Sequence, residues 1–335
     1  MGEFDLIRRF FQRPATPGAG IHAAPGVALG VGDDAALLAP APGMHLAISS
    51  DMLVQGRHFF ADVDPAALGH KALAVNLSDM AATGARPLAF TLALALPQAD
   101  EAWLTAFSAG LFALADAHDC ALVGGDTTQG PLNLCITIFG EVPAGQALTR
   151  AGARPGDDLW VSGSLGDARL ALLALQGQLA LPPAALAVAR QRLERPTPRV
   201  ALGLALRGIA TSAIDLSDGL AGDVGHLLHA SRAGAVLYAQ EAMNLVASWA
   251  SPMGLEPFLD DETRLRHVLT GGDDYELLFT APTAARAAVQ AAARASATPV
   301  TRIGHIDASP GLRLRNAQGQ EGPLPPVASF DHFRA

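Results

Sequence analysis

Along the chain, short apolar runs repeatedly end in Asp, and Ala- and Leu-rich stretches with helical spacing lie between them. Val27-Ala28-Leu29-Gly30-Val31-Gly32 leads into Asp33-Asp34, and His45-Leu46-Ala47-Ile48-Ser49-Ser50 leads into Asp51. Ala121-Leu122-Val123-Gly124-Gly125 leads into Asp126, Ala213-Ile214 into Asp215, and Leu269-Thr270-Gly271-Gly272 into Asp273-Asp274. Runs of this length bounded by Gly and Asp predict buried strands with polar ends. The stretches 65–84, 101–118, 165–178, 184–194, 218–233 and 283–296 predict helices, the first with Pro at its start and Gly at its end. Alternating strands and helices make an α/β protein. Residues 14–30, rich in Pro, Gly and Ala, predict an irregular lead-in. The turn-rich segment Arg150 to Asp158, with a fresh apolar run at Leu159-Trp160-Val161-Ser162-Gly163, predicts a boundary between two domains, 1–148 and 149–335.

Composition narrows the picture. Half of the 335 residues are hydrophobic and 16% are charged, enough apolar material for two cores. The net charge is −9 and no run of Lys and Arg is present, which argues against a protein that grips nucleic acid by its phosphates. Lys71 is the only lysine, and it sits in His70-Lys71-Ala72, so there is no Walker A loop. The His-Arg-Asp and Asp-Phe-Gly motifs of protein kinases are missing as well. Cys120 and Cys135 lie in apolar surroundings without Cys-x-x-Cys spacing and are expected to be buried free thiols. The most apolar run, Pro87 to Pro97, falls short of the roughly 20 residues that span a bilayer. Glu3 and Asp5 stand where a signal peptide would carry positive charge, so a cytoplasmic protein without a membrane partner is expected.

A single Asp after a strand is usually a turn or cap residue. Here Asp33, Asp34, Asp51, Asp79, Asp126, Asp215, Asp218, Asp273 and Asp274 mostly adjoin Gly or Ser at predicted strand ends, where α/β sheets collect ligands. Carboxylates converging there would repel one another unless cations stood between them. An oxygen-only donor set suits Mg²⁺, which shares its shell with water and phosphate oxygens. Two readings stand at this point: a metal-bridged phosphate site, or a scatter of solvated turn residues. Gly124-Gly125-Asp126-Thr127-Thr128 and Gly271-Gly272-Asp273-Asp274 allow close backbone approach to a ligand. Ser217-Asp218-Gly219-Leu220 has the composition of a helix start, where free N–H groups favour an anion. Arg150 either holds a phosphate or decorates a linker.

Taken in order, these motifs resemble the thiamine-monophosphate kinase family. That family lies in the superfamily of aminoimidazole ribonucleotide synthetase, selenophosphate synthetase and a hydrogenase maturation factor. The resemblance rests on Gly2-Glu3-Phe4-Asp5-Leu6-Ile7, Gly32-Asp33-Asp34-Ala35-Ala36-Leu37-Leu38, Ser49-Ser50-Asp51-Met52-Leu53-Val54 and Gly56-Arg57-His58-Phe59. It continues through Lys71 to Asp79, Gly124 to Thr128, Leu148-Thr149-Arg150, Asp215 to Leu220, Gly271 to Leu277 and Phe330-Asp331-His332-Phe333. It implies two domains, the first pairing its sheet with a second copy in a homodimer, the second a mixed-sheet α/β domain, with ATP in the cleft between them. It implies phosphorylation of thiamine monophosphate by ATP to thiamine diphosphate, the last step of that cofactor's synthesis. Asp34, Ser49, Ser50, Asp51, Asp79, Asp126, Asp215 and Asp218 would hold several Mg²⁺ ions, with room for a monovalent cation. Asp51 and Asp126 would act in catalysis through metal. Gly125, Asp126, Arg150 and Ser217 would touch ATP, and His58, Asp273 and Phe330 the monophosphate. The chemistry needs no general base, because a phosphate monoester with a second pKa of about 6 is already largely dianionic at neutral pH.

Two positions depart from the family pattern. Asp273 stands where the family more often has Glu, and Phe330 where it often has Tyr or Trp. The alternatives are Asp273 as a turn residue, Phe330 as packing and His58 as a surface histidine. Sister enzymes fit less well. The first 119 residues hold no Cys for selenophosphate synthesis, and the chain ends His332-Phe333-Arg334-Ala335 rather than in the Cys of the maturation factor. The Gly56-Arg57-His58-Phe59 motif and the Phe-Asp-His-Phe tail do not fit an aminoimidazole ribonucleotide synthetase. A non-catalytic metal-binding protein would call for an Asp-x-Asp-x-Asp-Gly loop, which is absent.

Overall fold

A computed structural model describes residues 2–12, 25–246 and 260–325. The chain divides into two units: residues Met1–Met80 with Ala85–Gly145, and Ala81–Gly84 with Gln146–Ala335.

In the first unit, α1 (Glu3–Leu6) runs into a π-helical turn (Ile7–Phe11), and β1 (Val27–Leu29) pairs with β2 (Leu37–Leu38). Then follow β3 (Met44–Val54), α2 (Pro65–Thr83), β4 (Arg86–Leu96), α3 (Glu101–Ala117), β5 (Ala121–Gln129) and β6 (Asn133–Pro143). The four long strands form one sheet in the order β3-β6-β4-β5, antiparallel except for the parallel β4–β5 pair. Local chemistry sets the helix starts. The Asp64 carboxylate accepts the Ala67 N–H at 2.7 Å ahead of Pro65, and Asp100 accepts the Ala102 and Trp103 N–H groups at 2.8 and 3.1 Å. Leu68, Leu73, Leu77 and Met80 of α2, Leu104, Phe107 and Leu111 of α3, and Phe90 and Leu94 of β4 are fully buried.

The second unit contains β7 (Asp157–Ser162), α4 (Asp167–Leu175), α5 (Pro183–Glu194), α6 (Val200–Ala205), β8 (Ser212–Asp215), α7 (Leu220–Ser231) and β9 (Gly234–Tyr238). It continues with α8 (Ala239–Met243), α9 (Asp261–Thr270), β10 (Leu277–Pro282), α10 (Arg286–Ala295), β11 (Val300–Asp307), β12 (Gly311–Arg315) and β13 (Glu321–Pro323). Its seven strands form a mixed sheet ordered β13-β12-β9-β11-β7-β10-β8, in which only β9 and β12 run parallel. Leu159, Val161, Ile214, Leu237, Leu278 and Ile303 on one face of the sheet pack against Leu170 of α4, Ala189 of α5, Val224 and Leu227 of α7 and Val268 of α9. On the other face Trp160 and Phe279 stack with their ring centroids 6.4 Å apart. β7 is buried at every position, as expected for a central strand covered on both sides.

The fold corrects three expectations. Leu269-Thr270, read as the end of a strand, is the last turn of α9, which starts at Asp260, whose carboxylate accepts the Thr263 N–H at 2.7 Å. Leu265, Val268 and Leu269 then face the core with helical spacing. Asp51 and Asp126 lie inside strands rather than after them. β3 stays paired with β6 as far as Val54–Asn133, and β5 with β4 as far as Gln129, so neither half-buried Asp51 nor exposed Asp126 interrupts its ladder. Val27–Leu29 is strand β1, in keeping with the apolar run that starts at Val27 and against the irregular lead-in read over residues 14–30. No helix among the described residues is long and apolar enough to cross a membrane.

Candidate active site

In the first unit, the pleat of β3 sends Ser49 and Ser50 to opposite faces. Ser49 Oγ donates to Asp79 Oδ2 of α2 at 2.5 Å. The backbone N–H of Asp51 donates to Asn76 Oδ1 at 3.2 Å, and Asn76 Nδ2 donates in turn to the Ala72 carbonyl at 3.0 Å. Asn76 and Asp79 stand three apart on α2, so both reach the same strand. Ser50 instead lies against Thr137 Oγ1 at 3.0 Å and the Ile136 carbonyl at 3.2 Å on β6. Asp126, on β5 opposite Ala93, is exposed, as are Asp33 and Asp34 in the turn after β1.

The chain leaves β3 in a tight turn in which the His58 N–H donates to the Val54 carbonyl at 3.0 Å. His58 Nδ1 accepts the Val54 N–H at 3.0 Å, which places the proton of a neutral imidazole on Nε2. Lys71, 3% exposed, donates from Nζ to the His58 carbonyl at 3.5 Å. The only lysine thus braces the turn that carries His58, a role its position in the sequence did not suggest.

In the second unit two motifs are laced together by backbone hydrogen bonds. Leu216 N donates to Glu276 O at 2.8 Å, Tyr275 N to Leu216 O at 2.8 Å, and Asp273 N to Ser217 O at 2.9 Å. Gly272 makes the contact sterically feasible, since any Cβ there would strike the Ser217 carbonyl oxygen. Half-buried Ser217 and Asp218 therefore lie beside Asp273, while Asp215, buried at the end of β8, pairs with Leu277. Arg150 is exposed; its carbonyl accepts Ser231 Oγ at 2.9 Å, and Thr149 O next to it accepts the Ala213 N–H at 2.9 Å.

Three acids to which the family resemblance gave no role organise these loops. Asp223, 2% exposed in the first turn of α7, accepts the N–H groups of Ser217 and Asp218 at 3.1 Å each. Burial pushes its carboxyl up to about 7, and the charge of Asp218 adds to the rise while the donated amides oppose it. Asp274 is buried, and both its oxygens accept the Gly166 N–H at 3.1 and 3.0 Å. Burial raises its carboxyl well above the usual range. Glu276, 0% exposed, receives Arg192, Arg199 and Ser162. The legible signal for Asp223 was a carboxylate in the first turn of an apolar helix; Asp274 and Glu276 stood inside a motif in which only Asp273 had been assigned. Among the described residues, no three His, Cys, Asp or Glu side chains gather closely enough to hold a metal by themselves. Phe330 and its motif lie outside the described residues.

Residues 32–142 match the AIR synthase related protein N-terminal domain, and residues 154–316 match the AIR synthase related protein C-terminal domain. The thiamine-monophosphate kinase of Salmonella typhimurium is 47% identical over 308 residues, covering 92% of this chain and 91% of that protein. The chain belongs to the thiamine-monophosphate kinase family. The Haemophilus influenzae member is 39% identical over 100% of this chain and 98% of its own length. The solved thiamine-monophosphate kinase of Stenotrophomonas maltophilia superposes with a TM-score of 0.79 at 48% identity, covering 87% of this chain and 91% of that one. AaThiL, solved in complex with AMPPCP and TMP, gives a TM-score of 0.74 at 29% identity over 88% and 89% of the two chains. A hydrogenase maturation protein HypE, 21% identical with a TM-score of 0.73, covers 99% of this chain and 98% of its own, and shares the fold. Thiamine-monophosphate kinases and HypE thus share one two-domain architecture of mixed sheets.

Proposed function

We infer that the protein transfers the terminal phosphoryl group of ATP to thiamine monophosphate, giving ADP and thiamine diphosphate. The observation that carries this reading is the lacing of Asp215-Leu216-Ser217-Asp218 onto Gly271-Gly272-Asp273, in a chain 47% identical to a thiamine-monophosphate kinase. AaThiL, which shares the fold, holds an ATP analogue and TMP together. In the reaction, an oxygen of the acceptor monophosphate bonds to the γ-phosphorus. The bond from that phosphorus to the β–γ bridging oxygen breaks, and the oxygen leaves on ADP. The nucleophile is already anionic, so no side chain needs to take a proton, and catalysis is placement and charge compensation.

Asp34, Ser49, Ser50, Asp51, Asp79, Asp126, Asp215 and Asp218 offer oxygen donors only, the set that suits Mg²⁺. Mg²⁺ completes its shell with water and phosphate oxygens, which fits carboxylates that form no closed cage of their own. When bound, the ions would offset the charge of two polyanions brought into line. Gly125, Arg150 and Ser217 are assigned to the nucleotide. His58, with its proton on Nε2, is assigned as a donor to thiamine monophosphate, with Asp273 and Phe330 as further contacts. In this reading, residues 1–148 bind ATP and Mg²⁺ and pair with a second copy, and residues 149–335 complete the substrate site.

The face of β3 away from α2 supports a homodimer. Leu46, Ile48, Met52 and Val54 are 41, 60, 55 and 36% exposed on this edge strand, an apolar stripe that a second copy would cover.

The test is incubation with ATP, Mg²⁺ and thiamine monophosphate, followed by chromatography. Thiamine diphosphate is expected from the monophosphate and not from free thiamine. ADP without thiamine diphosphate would overturn the substrate assignment.

A further inference from the structure

Glu276 has no assigned contact with substrate, yet three side chains converge on its carboxylate. Arg199 donates to it with both arms of its fork, Nε to Oε2 at 2.6 Å and Nη2 to Oε1 at 2.5 Å. Arg192 Nη2 donates to Oε1 at 2.6 Å and reaches the Asp274 carbonyl at 3.3 Å. Ser162 Oγ donates to Oε2 at 2.5 Å while accepting the Leu277 N–H at 2.8 Å. The two arginine side chains are 15% exposed and that of Glu276 0%. Gly163, at φ +57, closes the pocket, because a side chain there would run into the carboxylate of Glu276.

The segment so anchored has an unusual backbone. Asp273 and Tyr275 lie at φ 66 and 51, the left-handed region that non-glycine residues avoid. Each is followed by a buried, tied acid, Asp274 on the Gly166 amide and Glu276 on the two arginines. Tyr275 donates its hydroxyl to Asp273 Oδ1 at 3.3 Å. The conformation that brings Asp273 against Ser217 is thus held by contacts outside the motif itself.

We propose that Glu276, Arg192 and Arg199 are positioning residues that keep the substrate-contacting Asp273 in register with Ser217 and Asp218. The inference rests on the kinase reading above and adds a device to it. In-line transfer between two bound phosphates tolerates little displacement: a shift of about 1 Å can cost ~10²-fold in rate. A charged fork clamped on a buried carboxylate supplies the stiffness that two left-handed residues need. Arg in place of Lys fits the task, since only a planar fork meets both carboxylate oxygens at once.

Glu276→Gln, Arg199→Ala and the milder Arg199→Lys test it, each assayed well below its melting temperature and normalised to folded protein by near-UV circular dichroism. For Glu276→Gln and Arg199→Ala, kcat per folded molecule should fall by about 10²-fold with KM for ATP within about threefold, and Arg199→Lys should lie between these and the wild type. Amide exchange supplies a readout independent of catalysis: the N–H groups of Asp273 and Tyr275 should lose at least about tenfold protection relative to the rest of the second unit. Unchanged kcat per folded molecule, or unchanged protection at both amides, overturns the proposal. If Glu276→Gln does not fold, Arg199→Lys decides it by the same two measurements. A wild type that makes no thiamine diphosphate would overturn the kinase reading instead, and the exchange measurement would still decide this one.

Discussion

The Ser49 hydroxyl donates to the Asp79 carboxylate at 2.5 Å, tying the middle of strand β3 to the last turns of helix α2. The bond fixes the orientation of a half-buried carboxylate that the kinase reading assigns to the metal set. Asp79→Asn keeps the shape and removes the charge. The concentration of Mg²⁺ giving half-maximal rate should rise by about 10–100-fold, the usual cost of disturbing a metal's supporting carboxylate. A titration of rate against free Mg²⁺ at fixed ATP checks this, and an unchanged curve removes Asp79 from the metal set.

His58 accepts the Val54 N–H through Nδ1, so the donor it is proposed to offer thiamine monophosphate is the N–H at Nε2. His58→Asn retains an acceptor near the Nδ1 position and removes that donor. KM for thiamine monophosphate should rise by about tenfold, the equivalent of ~1.4 kcal/mol, with KM for ATP unaffected. Equal effects on both constants would mean the turn itself had been disturbed.

The apolar stripe of β3 predicts its own behaviour. Ile48, 60% exposed, is the most exposed apolar residue of the stripe. Ile48→Asp should turn a dimer into a monomer in sedimentation velocity, because a carboxylate facing a second copy would lose its water without gaining a partner. A wild type that sediments as a monomer, or a variant that remains dimeric, rules the stripe out as the interface.

Asp158 sets an acid limit on stability. Burial alone would raise its pKa, but hydrogen bonds from Arg286 at 2.5 and 2.8 Å and from Arg302 at 3.2 Å outweigh it and hold the carboxyl below its usual value. With the folded pKa below the unfolded one, this contribution is present in full above the unfolded value and is lost as pH falls through the folded value. Melting temperature measured between about pH 6 and pH 2.5 should decline less steeply in Asp158→Asn than in the wild type, from a lower plateau. Parallel curves would show that the pair is not coupled to folding.

Much of the architecture could be read from local patterns. Helices announce themselves by caps and spacing, as at Asp64-Pro65 and Asp100-Glu101, because those signals act within a few residues. The strand misread at Leu269-Thr270 shows where such reading stops: two apolar residues before Gly-Gly suit either element, and the Asp260 cap that decides it lies nine residues upstream.

The sequence by itself determined the order of elements, the oxygen-only donor set, the ordered motifs that place the chain in its family, and the absence of a Walker lysine. Only the tertiary structure decided how those parts meet. Glu276 and Arg199 are 77 residues apart and Gly166 and Asp274 are 108, and no local propensity encodes such pairings. They arise because strands β7, β10 and β8 lie side by side at one end of the sheet, which brings Ser162, Asp215 and Glu276 to one region. There, burial makes unpaired charge costly, so each acid must find its partner across the fold rather than along the chain.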